Sequence, residues 1–105
     1  MFLGKVIGNI VSTIKLDDFR GHKLLLVQPV IPEGASWKDP LICIDIVGAG
    51  VGETILYVDE GNSARQLLDL GGDASVRAVI VGIVDEIEWQ DTEGRLQSRI
   101  MARQR

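Results

Sequence analysis

Apolar and polar positions alternate from Phe2 to Lys15, which predicts a long first strand. Phe2, Gly4, Val6, Gly8, Ile10, Ser12 and Ile14 form a small or apolar face suited to a core. The other face carries Leu3, Ile7 and Val11 between polar residues, more apolar surface than a solvated face needs. Gly4 and Gly8 inside the strand predict a bend or bulge. Lys23 to Val30 reads as a second strand, with Pro29 marking an edge or the strand's end. Ile31 to Pro40 is rich in turn formers and reads as a loop, with Trp37 packing on its rim. Leu41 to Val47 and Thr54 to Asp59 are the third and fourth strands, and Ala78 to Val84 the fifth. Between the last two, Ser63–Gln66 has capping-box spacing and opens a short helix over Ala64–Leu70, with Gly71 at its end. Asp91-Thr92-Glu93-Gly94 reads as a hairpin turn, after which the tail either pairs back or stays loose.

This pattern predicts an all-β fold: a small five-stranded OB-like β-barrel with one short α-helix. The barrel domain spans residues 1–90, and residues 91–105 form a turn and a basic tail. The second, third and fifth strands are nearly continuous apolar runs, so both of their faces ask for burial. One short helix cannot cover the outer faces, which predicts self-assembly.

The chain is punctuated by Gly48-Ala49-Gly50-Val51-Gly52-Glu53, between the third and fourth strands. Glycines alternating this closely mark a low loop that a ligand or another backbone approaches. A dinucleotide fingerprint after a strand would need glycine at position 53, where Glu53 stands, and a helix where Thr54 to Val58 favours a strand. No Gly-Lys-Ser or Gly-Lys-Thr occurs, so a P-loop is excluded.

Composition narrows the chemistry. With 105 residues the chain forms one domain with one modest core. Its net charge of −4 opposes general affinity for nucleic acid. The single cysteine, Cys43, lies in an apolar run and reads as a buried structural thiol. His22, the single histidine, reads as a turn residue, so neither a metal site nor a nucleophile–base pair can be assembled. Asp45, Glu53, Asp59 and Glu60 flank the glycine loop and the following strand, either as solvated strand ends or as a carboxylate cluster. No apolar run reaches membrane-spanning length, and a soluble, intracellular protein is expected. The rival among OB-like folds is a module binding single-stranded nucleic acid, but the aromatics Phe2, Phe19, Trp37, Tyr57 and Trp89 are scattered singly.

Five motifs in order point to a known family. They are Gly4-Lys5-Val6-Ile7-Gly8 with Thr13-Ile14-Lys15, then Gly21 to Pro29, then Asp45 to Glu53, then Gly61-Asn62-Ser63-Ala64-Arg65, then Ile80 to Asp85. Together they resemble the bacterial microcompartment vertex proteins of the EutN/CcmL type, from Phe2 to about Glu88. Two departures are Arg77, where an acidic residue is more usual, and Asn62 in place of serine. The resemblance implies a structural shell protein, not an enzyme, in the bacterial cytoplasm. Such a protein forms a pentamer at the vertices of a microcompartment shell, beside hexameric facet proteins. It implies no cofactor, no metal, no nucleic acid and no membrane. It places Gly48, Ala49, Gly50, Val51, Gly52 and Glu53 around a narrow axial pore. Leu3, Ile7 and Val11, with Arg65 and Arg77, are then the candidates for contacts between subunits.

Overall fold

A computed structural model of the chain describes residues 1–11, 23–59 and 78–101. Among these residues the elements are β1 (Phe2–Ile10), β2 (Lys23–Pro29), β3 (Leu41–Asp45), β4 (Thr54–Asp59), β5 (Ala78–Ile83), β6 (Glu86–Gln90) and β7 (Leu96–Ile100). The expected helix at 64–70 lies outside the described residues.

β1 to β5 close a barrel in the order β1-β2-β3-β5-β4. All neighbours are antiparallel except β3 and β5, which run parallel and meet at Ile44↔Val79 and Asp45↔Ile80. This is the five-stranded barrel expected from the pattern, and closure removes most unpaired edges. Its interior is filled by Val6, Leu25, Val27, Cys43, Ala49, Ile55, Tyr57, Ala78 and Ile80. Gly4 lies where the wall is tightest. A Cβ there would clash with Val27 Cγ1 and would lie 3.2 Å from Tyr57 Cε1.

The expected stretch at 12–15 lies outside the described residues, and a register shift between Val6 and Gly8 changes the faces of β1. Before the shift, Gly4 and Val6 point inward. After it, Gly8 lies opposite Leu26 and Ile10 opposite Leu24, on the outer wall. Residues directly opposite one another in an antiparallel pair share a face, so one inserted residue exchanges inside for outside. The period-2 reading kept Gly8 and Ile10 on the core face, and the bulge corrects it.

The tail pairs back. β6 and β7 form a two-stranded hairpin outside the barrel, with register Glu86↔Ile100 to Gln90↔Leu96. At its tip the Asp91 carboxylate accepts the N–H groups of Glu93 and Arg95, each at 2.9 Å, and Gln97 Nε2 at 3.1 Å. Gly94 has φ 84°, the left-handed position of a three-residue turn. At its base Met101 N–H donates to the Asp85 carbonyl at 2.8 Å, and Met101 is buried.

Candidate functional site

The glycine loop leaves β3 at Asp45 and enters β4 at Thr54. Asp45 starts it, with Oδ1 accepting Val47 N–H at 3.1 Å. That local bond turns the chain away from the strand direction. Gly48 and Gly52 then carry φ of 78° and 95°, left-handed values that a Cβ disfavours. Gly50 does not share that conformation.

Three tethers hold the loop. Ala49 is buried inside the barrel as part of the core. β1 holds the far side: Gly52 N–H donates to the Val6 carbonyl at 2.8 Å, and Val6 N–H donates to the Glu53 carbonyl at 3.0 Å. Lys23 holds the near side. Its Nζ donates to the Ala49 carbonyl and lies 3.5 Å from Asp45 Oδ2.

Glu53 completes the arrangement. Its Oε1 accepts Gly50 N–H at 2.8 Å, and its own N–H donates to the Gly50 carbonyl at 3.1 Å. The residue is only 1% exposed. Asp45 is buried as well, so neither carboxylate is a solvated strand end. Within the chain both work as acceptors that shape the loop. What the loop offers outward is short: Gly48, with the apolar side chains of Ile46 and Val51.

Lys23 is the residue that sequence reading missed. The available signal was a cation opening an otherwise apolar strand, one strand away from a buried aspartate. Only the Lys23↔Asp45 register brings them together.

A second feature lies on the barrel wall. Ile7 is 44% exposed and Ile42 is 56% exposed. Gly8, Leu26 and Ile42 form one row across β1, β2 and β3, and Ile10 and Leu24 lie beside it. Lys5, opposite Gln28, and Lys38, whose carbonyl accepts Gln28 Nε2 at 2.6 Å, are both exposed. Of the other interface candidates, Leu3 is half-buried and Val11 exposed, while Arg65 and Arg77 lie outside the described residues.

Among the described residues nothing gathers into a catalytic set. Among the described residues no three His, Cys, Asp or Glu side chains come together as a metal site. His22 and Glu60 lie outside the described residues. Burial, aided by the Asp59 charge, pushes the Cys43 thiol up to about 12. Burial likewise pushes Tyr57 up to about 12, with smaller contributions from Cys43 and Asp59. These groups hold their protons at neutral pH and are not nucleophiles. Three aromatics that stand apart in the sequence meet in the fold. Tyr57 is inside the barrel, with Phe2 stacked on it at 5.4 Å, and Trp37 is tilted against Phe2 at 6.4 Å.

Comparison with known proteins agrees with this geometry. Residues 1–85 match the family model described as ethanolamine utilisation protein EutN/carboxysome. The bacterial microcompartment shell vertex protein GrpN of Rhodospirillum rubrum is 47% identical over 93 residues, which cover 84% of this chain and 97% of GrpN. The structure of GrpN, described as a pentameric microcompartment shell protein, superposes with a TM-score of 0.70 at 40% identity, covering 81% of this chain and 94% of that one. The crystal structure of EutN from Escherichia coli gives a TM-score of 0.71 at 35% identity, covering 91% and 94%. On the strength of a barrel, a glycine loop and a sequence match that run together over most of its length, this chain belongs to the EutN/CcmL family.

Proposed function

We propose that the protein is a structural vertex protein of a bacterial microcompartment shell. Five copies form a closed ring, and the ring caps a vertex between hexameric facet proteins. The observation that carries this reading is the exposed apolar wall of the barrel. Ile42 stands exposed beside half-buried Leu26, and Ile7 stands exposed next to Gly8 in the same row, which is apolar surface that an assembly can cover. Relatives that carry the names of shell vertex proteins supply the kind of assembly that covers such a wall.

In this ring the glycine loop faces the fivefold axis. Gly48 to Gly52 line a narrow pore with backbone and small side chains, so identical loops approach one another closely. The buried tethers through Ala49, Glu53 and Lys23 support the placement, because a pore rim repeated around an axis needs one fixed conformation. The protein performs no catalysis, takes no cofactor and acts within the shell in the bacterial cytoplasm. Native mass spectrometry tests the ring directly. A mass of five chains is expected, and a monodisperse monomer at micromolar concentration would overturn the reading.

A further inference from the structure

The barrel has a seam between its parallel neighbours. Among the described residues β3 and β5 meet only at Ile44↔Val79 and Asp45↔Ile80. The start of β3 keeps its ladder with β2, through Leu41↔Val27 and Ile42↔Leu26, but forms no rung to β5. Across the gap, Asp59 and Ala78 stand opposite one another at the end of the β4–β5 ladder. A cavity of about 310 Å³ opens there, bordered by Lys38 to Ile42 on one side and by Asp59 and Ala78 on the other.

The lining combines two chemistries. Pro40, Leu41, Ile42 and Ala78 supply apolar surface, and Asp39 and Asp59 supply two carboxylates against the single cation of Lys38. That cation is drawn to an aromatic: Lys38 Nζ stands over the Trp37 ring, 5.9 Å from its centroid. Asp59 is half-buried, and its charge reaches into the barrel, where, behind burial, it helps to hold the protons on Cys43 and Tyr57. A charge felt by two core groups is weakly screened by water. The rim is also fixed in advance. Gln28 Nε2 donates to the Lys38 carbonyl at 2.6 Å and to the Pro29 carbonyl at 3.2 Å. A rim already in place lowers the ordering cost of binding.

We propose that this seam binds a small organic cation, an ammonium group on a short aliphatic body. The body lies against Pro40, Leu41, Ile42 and Ala78, and the ammonium turns toward Asp39 and Asp59. The volume falls at the small end of ligand pockets, roughly 300–1,000 Å³, which suits a body of a few carbons. Each carboxylate accepts several hydrogen bonds, and an ammonium offers three donors. An anion of the same size would meet two like charges. A neutral alcohol would keep the apolar contact and lose the charged one. Ile42 belongs both to this seam and to the exposed wall, so binding is measured on the assembled protein.

The test titrates n-butylammonium chloride into the full-length protein at neutral pH and follows amide chemical shifts. The neutral and anionic counterparts are 1-butanol and butyrate. Saturable shifts centred on Leu41, Ile42 and Ala78 are expected for the amine, with both counterparts at least about tenfold weaker. Asp39→Asn and Asp59→Asn should each weaken the amine about threefold and leave the alcohol unchanged. Added salt should weaken the amine alone. Circular dichroism and native mass of each variant check that fold and assembly are unaltered. Equal binding of the three compounds, shifts centred elsewhere, or no saturation overturns the proposal. A neighbouring subunit that closes the mouth would give the last of these. If Asp59→Asn folds poorly, exposed Asp39→Asn and the three compounds on the parent protein still decide the matter.

Discussion

The glycine loop offers a sharp contrast between neighbouring residues. Gly52 sits at φ 95°, and its N–H is used on Val6. A methyl group there meets the backbone clash of the left-handed region, a cost of about 1–2 kcal/mol per chain. Gly50 has no such conformation, and a Cβ there would meet only Glu53 Oε1, at an ordinary 3.6 Å. Gly50→Ala should therefore stay within about 0.5 kcal/mol of the parent. For a urea slope of roughly 2 kcal/mol/M, Gly52→Ala lowers the midpoint by about 0.5–1 M and Gly50→Ala by less than about 0.3 M. Both melts are run at one protein concentration, because association shifts apparent stability. Gly50→Trp then isolates the assembly. Its local backbone cost is as small as that of alanine, but in a ring the indole is repeated in every subunit around the axis. Native mass should show a broken ring or the axial opening should close, while far-ultraviolet circular dichroism keeps its β signature. The conformational reasoning fails if Gly50→Ala is as damaging as Gly52→Ala. The axial placement fails if Gly50→Trp leaves an unaltered ring with an open channel.

Gly4→Ala should destabilise the barrel by roughly 1–3 kcal/mol through overpacking against Val27 Cγ1. The double variant with Val27→Ala should lose clearly less than the sum of the singles in denaturant melts, and simple additivity would refute the contact. The hydrogen bonds at the hairpin tip, that from Arg95 N–H first and then that from Gln97, hold the Asp91 carboxyl below its ordinary value of 3.8. A lowered folded pKa means that this support is complete above about pH 4 and is lost as pH falls through the folded value. Protection of the Gly94 and Arg95 amides, corrected for the intrinsic pH dependence of exchange, should fall in that acid window, and should not change there in Asp91→Ala. At the other extreme, Cys43 and Tyr57 stay protonated in the fold while the unfolded chain ionises near 9 and 10. Stability should therefore fall with rising pH between about 9 and 12, and Cys43→Ser should flatten the first part of that decline. A thiol reagent at neutral pH should modify Cys43 no faster than the protein opens.

Sequence pattern by itself determined the class of fold. Alternation and β-branched runs located the five barrel strands to within a few residues, because period 2 is a local property of a half-buried strand. Turn chemistry located the Asp91–Gly94 tip and the glycine loop for the same reason: φ and short-range hydrogen bonds depend on adjacent residues. The apolar run of β3 and the apolar excess on the second face of β1 also announced side chains that one chain leaves exposed, now seen at Ile42 and Ile7. Tertiary structure decided the rest. The bulge after Val6 exchanged inside for outside at Gly8 and Ile10, since an inserted residue is defined only against a partner strand. Whether the tail paired back was settled by β6. Glu53 and Asp45 read from the sequence first as solvated strand ends, and closure of the barrel buried them instead. Lys23 reaches Asp45 and Ala49 across 22 and 26 residues of chain. No local pattern encodes such a meeting. It exists because the barrel brings β2 beside β3, and their register then sets which side chains face one another.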